Sequence, residues 1–454
     1  MRIMSFLPFV LLVSCAGAPP DPVTKSYPEA APAGLSIPAM QSFSLQAPSS
    51  VRHSNSELAA NFLALEFHLE SGRDLNRITR FEGPISVALT GNVPTTASAE
   101  LTRLIARFRA EAGLNIATAP SAETASITVN FVSGAWMKRL VPSAACFVVP
   151  GVSSLAEYRA AKSAAATDWA QIMQRSRVAV FIPENASPQE VRDCLHEELA
   201  QAMGPLNDLF ELPDSVFNDD NFNTVLTDFD MLMLRLHYAP DLQSGMGQVQ
   251  VASLLPELLA RYNPSGQFVS GNAFPSRSPT AWLALVPRAM GSDEAGGRKS
   301  AAQKMLQMAL AQGWQDNRLG LSYFLLGRLT APSDPAQAIA YFNAASNIYR
   351  SMPDGGIHAA HVSLQLAGIA LSSGQNAQAV AFADSAIPAL KAGQNAAMLS
   401  TLMLIKAKAL EEMGRIDAAQ AIRLDTVGWA RYGFGSDQAM RAKTAEIAAL
   451  AARG

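Results

Sequence analysis

The amino-acid sequence predicts an α+β domain followed by an all-α domain of helical repeats. Two observations support this prediction. Strand-like and helix-like segments follow one another before residue 265, and a repeated helical pattern appears after residue 290. The length of 454 residues is also too great for one typical domain. We expect the first domain over 54–265, a connector over 266–290 and the repeats over 291–454.

The beginning of the chain has the features of a bacterial lipoprotein signal. Residues 6–13 form an apolar run after Arg2 that is too short to span a bilayer. The following residues, up to Cys15, resemble a lipobox. We expect a signal peptide over 1–14, lipid attachment at Cys15 and a flexible Pro/Ala/Ser-rich tether over 15–53. The alternative is an ordinary secretory signal that is cleaved elsewhere.

The residue after Cys15 is alanine rather than aspartate. The resemblance to lipoproteins therefore implies an outer-membrane protein that faces the periplasm. No later apolar stretch reaches transmembrane length, so we expect contact with the membrane through the lipid anchor only. The net charge is −3 and no basic stripe is present, so we do not expect nucleic-acid binding.

The chain contains three cysteines, and lipidation would use Cys15. Export implies an oxidising compartment, in which the two remaining cysteines tend to pair. We predict a disulfide between Cys146 and Cys194. The alternative is two buried free thiols.

Periodicity predicts the elements of the first domain. Apolar residues at helical spacing predict helices over 54–71 and 97–112. Alternating β-branched and aromatic residues predict strands over 84–91, 127–131 and 178–182. A further helix begins strongly at Ser187, with proline at its first position and a glutamate placed to complete a capping box. We expect this helix to run to about Met203.

Residues 197–207 follow the H-E-x-x-H-x-x-G-x-x-H spacing of the metzincin zinc proteases, without its histidines. Glu197, Gln201 and Asn207 stand at the three ligand positions. Glu198 stands at the position of the general base, and Gly204 at the turn. Residues 197 and 201 share one helix face because they are four positions apart, and a turn at the glycine would bring residue 207 back towards them.

This set of side chains is a poor zinc site, because zinc prefers imidazole and thiolate ligands. Calcium would need about six to eight oxygen ligands, and Asp208, Asp219 and Asp220 are the nearest additional carboxylates in sequence. We therefore expect no cofactor, with calcium or zinc as the alternatives.

Three interpretations of this segment remain open: an active hydrolase with an unusual metal, an ordinary solvent-exposed helix, and an inherited fold whose former site is a polar cluster. We prefer the third. Buried carboxylates would then need partners, for which Arg77, Arg80 and Arg139 are candidates. We expect His196 to be a surface or packing residue, since it lies about 100° from Glu197 around the helix.

Two later segments strengthen the resemblance to metzincins. Residues 213–217 look like the turn beneath the metal, and residues 226–238 look like the closing helix. Together with 194–198 and 216–220, they also resemble a domain family of unknown function from exported proteins of Gram-negative bacteria. The resemblance implies a metzincin-like fold over 54–265, with no known activity.

After about residue 290 the chain is rich in alanine, leucine and glutamine, and it repeats itself. One alanine position recurs at 338, 379 and 419, and Gly374 and Gly414 each precede it by five residues. The pattern resembles tetratricopeptide repeats, in which small residues let two helices approach and glycine ends the first helix. The alternative is a plain helical bundle. We expect a leading helix over 298–312 and a closing helix over 439–451.

In a tetratricopeptide-like array the first helix of each repeat lines a concave face. The residues that we expect there, if they are not merely solvated, are Tyr323, His361, Lys408 and Glu411. The predicted function is therefore non-catalytic binding or scaffolding of envelope proteins or peptides through the helical repeats. The alternative is a metal-dependent peptidase or hydrolase with Glu198 as the general base.

Overall fold

The computed structural model describes residues 39–44, 51–141, 144–162, 164–218, 220–269, 277–291 and 294–451. The predicted signal peptide, the predicted lipidation site at Cys15 and most of the predicted tether lie outside these residues. Among the helices of the described ranges, none is both long enough and apolar enough to cross a membrane.

The first part of the chain is an α/β structure around a mixed five-stranded sheet. Its strands are β1 (Ile85–Gly91), β2 (Ile116–Thr118), β3 (Ile127–Val132), β4 (Phe147–Pro150) and β5 (Val178–Pro183). The strand order is β2-β1-β3-β5-β4, and only β4 runs antiparallel to its neighbour. The three strands predicted from alternation are confirmed.

The helices of this part are α1 (Asn55–Glu66), α2 (Ala97–Glu111), α3 (Gly134–Leu140), α4 (Leu155–Ala161), α5 (Pro188–Met203), α6 (Asp228–His237) and α7 (Gln248–Tyr262). Short 3-10 turns lie at Ala122–Thr124, Ala165–Thr167, Trp169–Gln171 and Pro264–Gln267. Helix α1 ends earlier than the predicted residue 71. Its chain turns back there, with Gly72 in the left-handed region at φ 77°.

The sheet is covered on both faces, which explains why β3 is buried along its whole length and β5 is buried up to its last residue. One face carries Val129 and Val180 into the main core with α2 and α5. The other face carries Phe181 into a smaller cluster beside Met137 of α3. Parallel strands need a crossover connection between them, usually a helix. Helices and strands therefore alternate along the chain, and the domain is α/β rather than the predicted α+β.

A disulfide joins Cys146 to Cys194, as predicted. Cys146 immediately precedes β4 and Cys194 lies in the middle of α5. The bond therefore fastens the antiparallel edge of the sheet to the helix that carries the metzincin-like segment.

The remainder of the described chain is helical. Its helices are α8 (Thr280–Leu283), α9 (Val286–Met290), α10 (Ala295–Ala311), α11 (Asn317–Thr330), α12 (Pro335–Ser351), α13 (Gly356–Ser372), α14 (Asn376–Ala392), α15 (Ala396–Glu412), α16 (Ile416–Phe434) and α17 (Asp437–Ala451). Helices α11 to α16 pack as three successive hairpins, α11–α12, α13–α14 and α15–α16.

The repeated residues of the sequence take equivalent places in these hairpins. The recurring alanines at 338, 379 and 419 are buried on α12, α14 and α16, the second helix of each hairpin. Gly374 and Gly414 follow the ends of α13 and α15 at φ 68° and 74°, in the left-handed region that glycine adopts without strain. Small residues and glycine turns thus allow each pair of helices to pack closely.

Part of the predicted flexible tether is packed against the helical region. Phe43 lies 4.7 Å from Trp429 between ring centroids, and the backbone N–H of Gln41 donates to the carbonyl of Gly428 at 3.1 Å. A Cβ at Gly428 would lie 2.7 Å from the carbonyl oxygen of Ala39, so the glycine permits this approach. Residues 39–44 are therefore attached to α16.

Candidate functional site

Helix α5 carries the first part of residues 197–207, which we call the metzincin-like segment after its spacing. The two ends of the helix follow the prediction closely. The side chain of Ser187 accepts from the backbone N–H of Glu190, and the backbone N–H of Ser187 donates to the carboxylate of Glu190, which completes the capping box. The helix ends at Met203. Gly204 follows, where an added Cβ would lie 2.8 Å from a methyl group of Leu234. The glycine thus permits close packing against α6.

The four singled-out positions are all buried. Glu197, Glu198, Gln201 and Asn207 retain 7%, 1%, 4% and 8% of their accessible surface, respectively. The side-chain amide of Asn207 donates to the carbonyl of Ala64 at 2.9 Å, so it fastens the turn to the end of α1. These side chains are therefore part of the packed interior and not of a solvated helix face.

Arg175 occupies the carboxyl end of α5 and was not anticipated from the sequence. Its guanidinium donates to the carbonyls of Gln201 and Gly204 at 2.7 and 2.6 Å and lies over the ring of Trp169. A cation at this end complements the helix dipole and satisfies carbonyls that the helix leaves without partners. Burial lowers the pKa of Arg175, against the opposing charges of Tyr238 and Glu66.

Of the three arginines predicted to be partners for the buried carboxylates, two contact other groups. The guanidinium of Arg80 contacts Glu82 at 3.1 Å and donates to the carbonyl of His237. Arg77 lies against the sulfur of Met173 at 2.7 Å, and Arg139 is in the last turn of α3.

A histidine and a glutamate meet beside the glycine turn. The Nδ1 atom of His237 lies 2.9 Å from a carboxylate oxygen of Glu66, and both side chains are buried. The Cγ atom of His237 would lie 3.9 Å from a Cβ at Gly204. Since the two residues come from α6 and α1, the sequence contained no spacing that could have revealed this pair.

His196 is a buried packing residue, one of the two roles expected for it. Its Nδ1 atom accepts a hydrogen bond from the backbone N–H of Leu226 at 3.1 Å, which places the ring proton on Nε2. Burial lowers the pKa of His196 well below its usual value, and the charges of Arg107, Arg192 and Arg103 act in the same direction. The neutral ring therefore joins α5 to the chain that leads into α6.

The turn over 213–217 is held by Asp230 of α6. This buried carboxylate accepts hydrogen bonds from the hydroxyl of Ser215 at 2.5 Å and from the backbone N–H groups of Val216 and Thr227 at 3.2 and 2.8 Å. Burial raises the pKa of Asp230 to about 6, although these hydrogen bonds oppose the shift. The turn that resembles the one beneath the metal in metzincins is thus fixed to the closing helix.

The chain between α5 and α6 also enters the helical region. Phe222 lies between His358 and His361, with ring centroids 4.7 and 4.3 Å away. A carboxylate oxygen of Asp220 is 3.3 Å from Nε2 of His358, and both of these side chains are buried. Phe210 and Phe222 consequently belong to the core of the helical region, although they follow the metzincin-like segment in sequence.

The amino-terminal half of α5 forms a second contact with the helical region. The side chain of Gln189 bonds to Asn395 at 3.2 Å and accepts from the backbone N–H of Ala397 at 2.8 Å. Arg192 donates to the carbonyl of Gln394 at 2.7 Å. The helix that carries the metzincin-like segment is therefore a structural element of the joint between the two parts.

The predicted groove residues do not form one cluster. His361 lies at the joint with Phe222, whereas the ring of Tyr323 lies 6.3 Å from that of Tyr341 between centroids. Lys408 and Glu411 are both on α15, where their charged atoms are 3.9 Å apart. Lys408 is closer to Glu412, at 2.5 Å, and Glu411 pairs with Arg423.

A groove of about 320 Å³ lies along the joint. Both parts contribute to its walls, with Arg107, Thr227 and Asp228 on one side and Asp354, Ile357 and Gln394 on the other. Arg107 is held by a bidentate interaction with Glu111 at 2.7 and 2.8 Å. Burial raises the pKa of Asp354, and the nearby charge of Asp214 raises it further. The groove is a mixed polar and apolar surface with more acidic than basic groups.

A metal centre was one alternative for this region. Over the residues that the structure describes, no three or more histidine, cysteine, aspartate or glutamate side chains are arranged to hold a metal ion. Asp219, one of the carboxylates considered for calcium, lies outside those residues.

Comparison with known proteins assigns part of the chain to a family. Residues 55–257 match the model of a family described as a protein of unknown function (DUF2927). No curated protein matches the chain. The match covers most of the α/β part, ending within α7, and agrees with the predicted resemblance to a domain family of unknown function.

Proposed function

We propose that this protein is a non-catalytic binding or scaffold protein of the bacterial cell envelope. One observation carries the proposal: the positions that would hold a metal and a general base are buried structural positions. Asn207 fastens the turn to Ala64, and Glu198 retains 1% of its accessible surface.

The competing function is a metal-dependent peptidase or hydrolase with Glu198 as the base. A general base must reach the proton that it removes, directly or through one water molecule. Glu198 lies on α5, which packs against the sheet, α2 and the helical region. This placement favours a structural role for Glu198 over a catalytic one.

Two surfaces support binding. We propose that the three successive hairpins act as a tetratricopeptide-like repeat array, a type of architecture that presents extended surfaces to proteins and peptides. The groove along the joint is built from both parts of the molecule, so a ligand there would contact both at once. Envelope proteins or peptides are therefore the proposed partners, and the metzincin-like domain is proposed to act as a support for the array.

The proposal is tested by metal analysis and a peptidase assay on the purified full chain. We expect less than one metal ion in ten molecules and no cleavage of an unfolded protein substrate above background. Glu197→Gln and Glu198→Gln are the test variants, and Glu257→Gln, at an exposed position of α7, is the matched control. Stoichiometric metal that is lost in Glu197→Gln, or cleavage that is lost in Glu198→Gln, would establish the hydrolase instead.

The proposed location is the periplasmic side of the outer membrane, with a lipid on Cys15. Cells that express the protein and are grown with a labelled fatty acid should incorporate the label into it. Cys15→Ser should abolish the incorporation, and Cys146→Ser should not. Label that persists in Cys15→Ser would exclude the proposed anchor.

A further inference from the structure

One wall of the groove at the joint is a short piece of chain that is held from two sides at Leu226. The backbone N–H of Leu226 donates to Nδ1 of His196 at 3.1 Å, and its carbonyl accepts from the guanidinium of Arg107 at 3.0 Å. Residues 224–226 all line the groove, and we call them the wall segment. The position of this wall therefore depends on a histidine that acts as a hydrogen-bond acceptor.

The residues on either side of the wall segment are fixed by other contacts. Before it, the side-chain amide of Asn223 donates to the carbonyl of Pro213 at 2.7 Å. After it, the backbone N–H of Thr227 donates to the carboxylate of Asp230 at 2.8 Å. The wall segment can therefore leave α5 while both of its ends stay in place.

The surroundings of His196 are rich in positive charge. The side chain is 6% exposed and lines a small cavity beside the groove. The charged and titratable groups that line this cavity with it come from α2, α5 and α16: Glu100, Arg103, Arg107, Arg192 and Tyr432. The described lining thus holds three cations and one anion.

These cations already have carboxylate partners. Arg103 pairs with Glu100, which also accepts from the hydroxyl of Tyr432 at 2.7 Å. The other two arginines pair with carboxylates behind the lining, Arg107 with Glu111 at 2.7 Å and Arg192 with Asp193 at 2.5 Å. A positive charge on His196 would therefore be a further cation beside paired groups.

Protonation would reverse the role of Nδ1 of His196. A neutral imidazole accepts a hydrogen bond through one ring nitrogen, whereas an imidazolium donates through both. The new N–H would face the N–H of Leu226, and the new charge would lie among three arginines. Both effects favour separation of the wall segment from α5, because separation admits water to the ring.

The direction of the pH effect follows from the pKa of His196. Burial and the arginine charges hold this pKa well below the usual 6.5, so the closed wall is fully stable above pH 6.5 and weakens as the pH falls below it. The ratio of released to closed wall rises by at most about tenfold for each pH unit. Asp230 acts in the opposite direction, since its pKa of about 6 exceeds its ordinary 3.8, and it keeps Thr227 in place in acid.

We propose that His196 is an acid sensor of the groove, and that its protonation releases residues 224–226 from α5 and removes one wall of the groove. This inference rests on the proposed binding function, because it concerns regulation of the surface that a ligand would contact. A ligand that needs both walls is held at neutral pH and released in acid.

Hydrogen–deuterium exchange of the full chain tests the proposal, with single-residue detection by mass spectrometry and correction for the intrinsic effect of pH. Between about pH 7 and about pH 5, we expect the protection of the Leu226 amide to fall at least about tenfold. The amides of Phe222 and Thr227 are internal controls and should keep their protection, because they donate to Asp220 and Asp230 instead.

Variants at His196 separate titration from structural support. In His196→Asn, the side-chain oxygen replaces Nδ1 as the acceptor and does not titrate, so Leu226 should be equally protected at both pH values. In His196→Phe, a ring remains without an acceptor, so protection should be low at both. His68→Gln, at a half-exposed histidine, is the matched control and should keep the wild-type pH dependence.

Several outcomes would overturn the proposal. Protection of Leu226 that is constant with pH in the wild type would do so, as would a pH dependence that persists in His196→Asn. Equal losses at Leu226, Phe222 and Thr227 would assign the effect to unfolding of the whole region.

A measurement on the wild type decides the matter if a variant fails to fold. Nuclear magnetic resonance titration of the histidines should show that His196 stays neutral where the other exposed rings protonate, and an ordinary pKa for His196 would contradict the proposal. These experiments use no metal, substrate or ligand. Their failure is therefore distinguishable from failure of the proposed function, which the metal and peptidase assays test.

Discussion

Some buried polar side chains of this protein each form hydrogen bonds with more than one group, and these bonds hold loops and helix ends in place. Asp230 accepts hydrogen bonds from Ser215, Val216 and Thr227, and Arg175 donates to two carbonyls at the end of α5. Burying a charged group is costly unless it is hydrogen-bonded, so such residues specify one arrangement of the loops around them. The cation found at the end of α5 is Arg175, which was not among the predicted partners.

His53 is the clearest case of a titratable residue that links two segments. Its ring nitrogens lie 2.9 Å from Glu57 of α1 and 2.7 Å from Asp214 of the turn region. Burial lowers the pKa of His53, but the hydrogen bonds and charges of the two carboxylates outweigh it and raise the pKa to about 10. The ring is thus a cation between two anions at neutral pH.

This arrangement predicts a pH dependence of stability. The folded pKa of about 10 exceeds the ordinary histidine pKa of 6.5. The stabilisation is therefore complete below pH 6.5 while both carboxylates are ionised, and it is lost as the pH rises through 10. The difference in unfolding free energy between wild type and His53→Gln should fall across this range, by at most about 1.4 kcal/mol per pH unit. Urea unfolding at several pH values measures it. His68→Gln, at a half-exposed histidine that pairs with the exposed carboxylate of Asp74, is the control. A constant difference for His53→Gln would contradict the prediction.

At the scale of elements, α5 connects almost every part of the molecule. It packs against the sheet and α2, it is bonded to the start of β4 through Cys194, and it contacts the helical region through Gln189 and Arg192. Its boundaries were predictable because the capping box and the first-turn proline are local signals. Its partners were not, since none of them is close to it in sequence.

The disulfide should contribute measurably to the stability of this element. The bond closes a loop between cysteines 48 positions apart, which restricts the unfolded chain. Replacement of both Cys146 and Cys194 by alanine should lower the unfolding free energy by about 2–4 kcal/mol. Chemical denaturation with and without a reductant measures this. Reductant should destabilise the wild type and leave the double variant unchanged, and equal sensitivity of the two proteins would argue against the bond.

At the scale of the whole molecule, the α/β part contributes side chains to the core of the helical region. Phe210 and Phe222 belong to the α/β part in sequence and to the helical core in space. Phe222 also packs edge-on against Phe324 and Tyr349. An isolated helical region would expose the surface that these rings cover, so we expect the two parts to unfold together.

Phe222→Ala tests this coupling. Loss of a fully packed aromatic ring from a core typically costs about 3–5 kcal/mol, and here the loss should destabilise both parts. Denaturation followed by tryptophan fluorescence and by far-ultraviolet circular dichroism should show one shifted transition. Phe268→Ala removes a ring that is 87% exposed and should cost less than about 0.5 kcal/mol. Two separate transitions, or equal effects of the two substitutions, would show that the parts are independent.

The sequence predicted those features that depend on neighbouring residues. The strands over β1, β3 and β5, the limits of α5, the buried alanine positions of the hairpins and the pairing of Cys146 with Cys194 all follow from periodicity, capping or composition. Strands β2 and β4 were not assigned, because three or four residues carry too little pattern. The metzincin spacing of residues 197–207 singled out a segment of polar residues that is buried in the structure. The metal and peptidase assays test whether this segment has a chemical function.

Only the tertiary structure decided which residues the buried polar and aromatic side chains contact. Arg175 reaches the end of α5, His237 meets Glu66, and Phe222 enters the helical core, although each pair is far apart in sequence. The structure also placed α17 on the face of the array that the repeats by themselves would leave open. Local spacing determines which elements form, because it sets which side chains share a face. Contacts between distant segments depend on how those faces are packed together, which no local pattern in a single chain encodes.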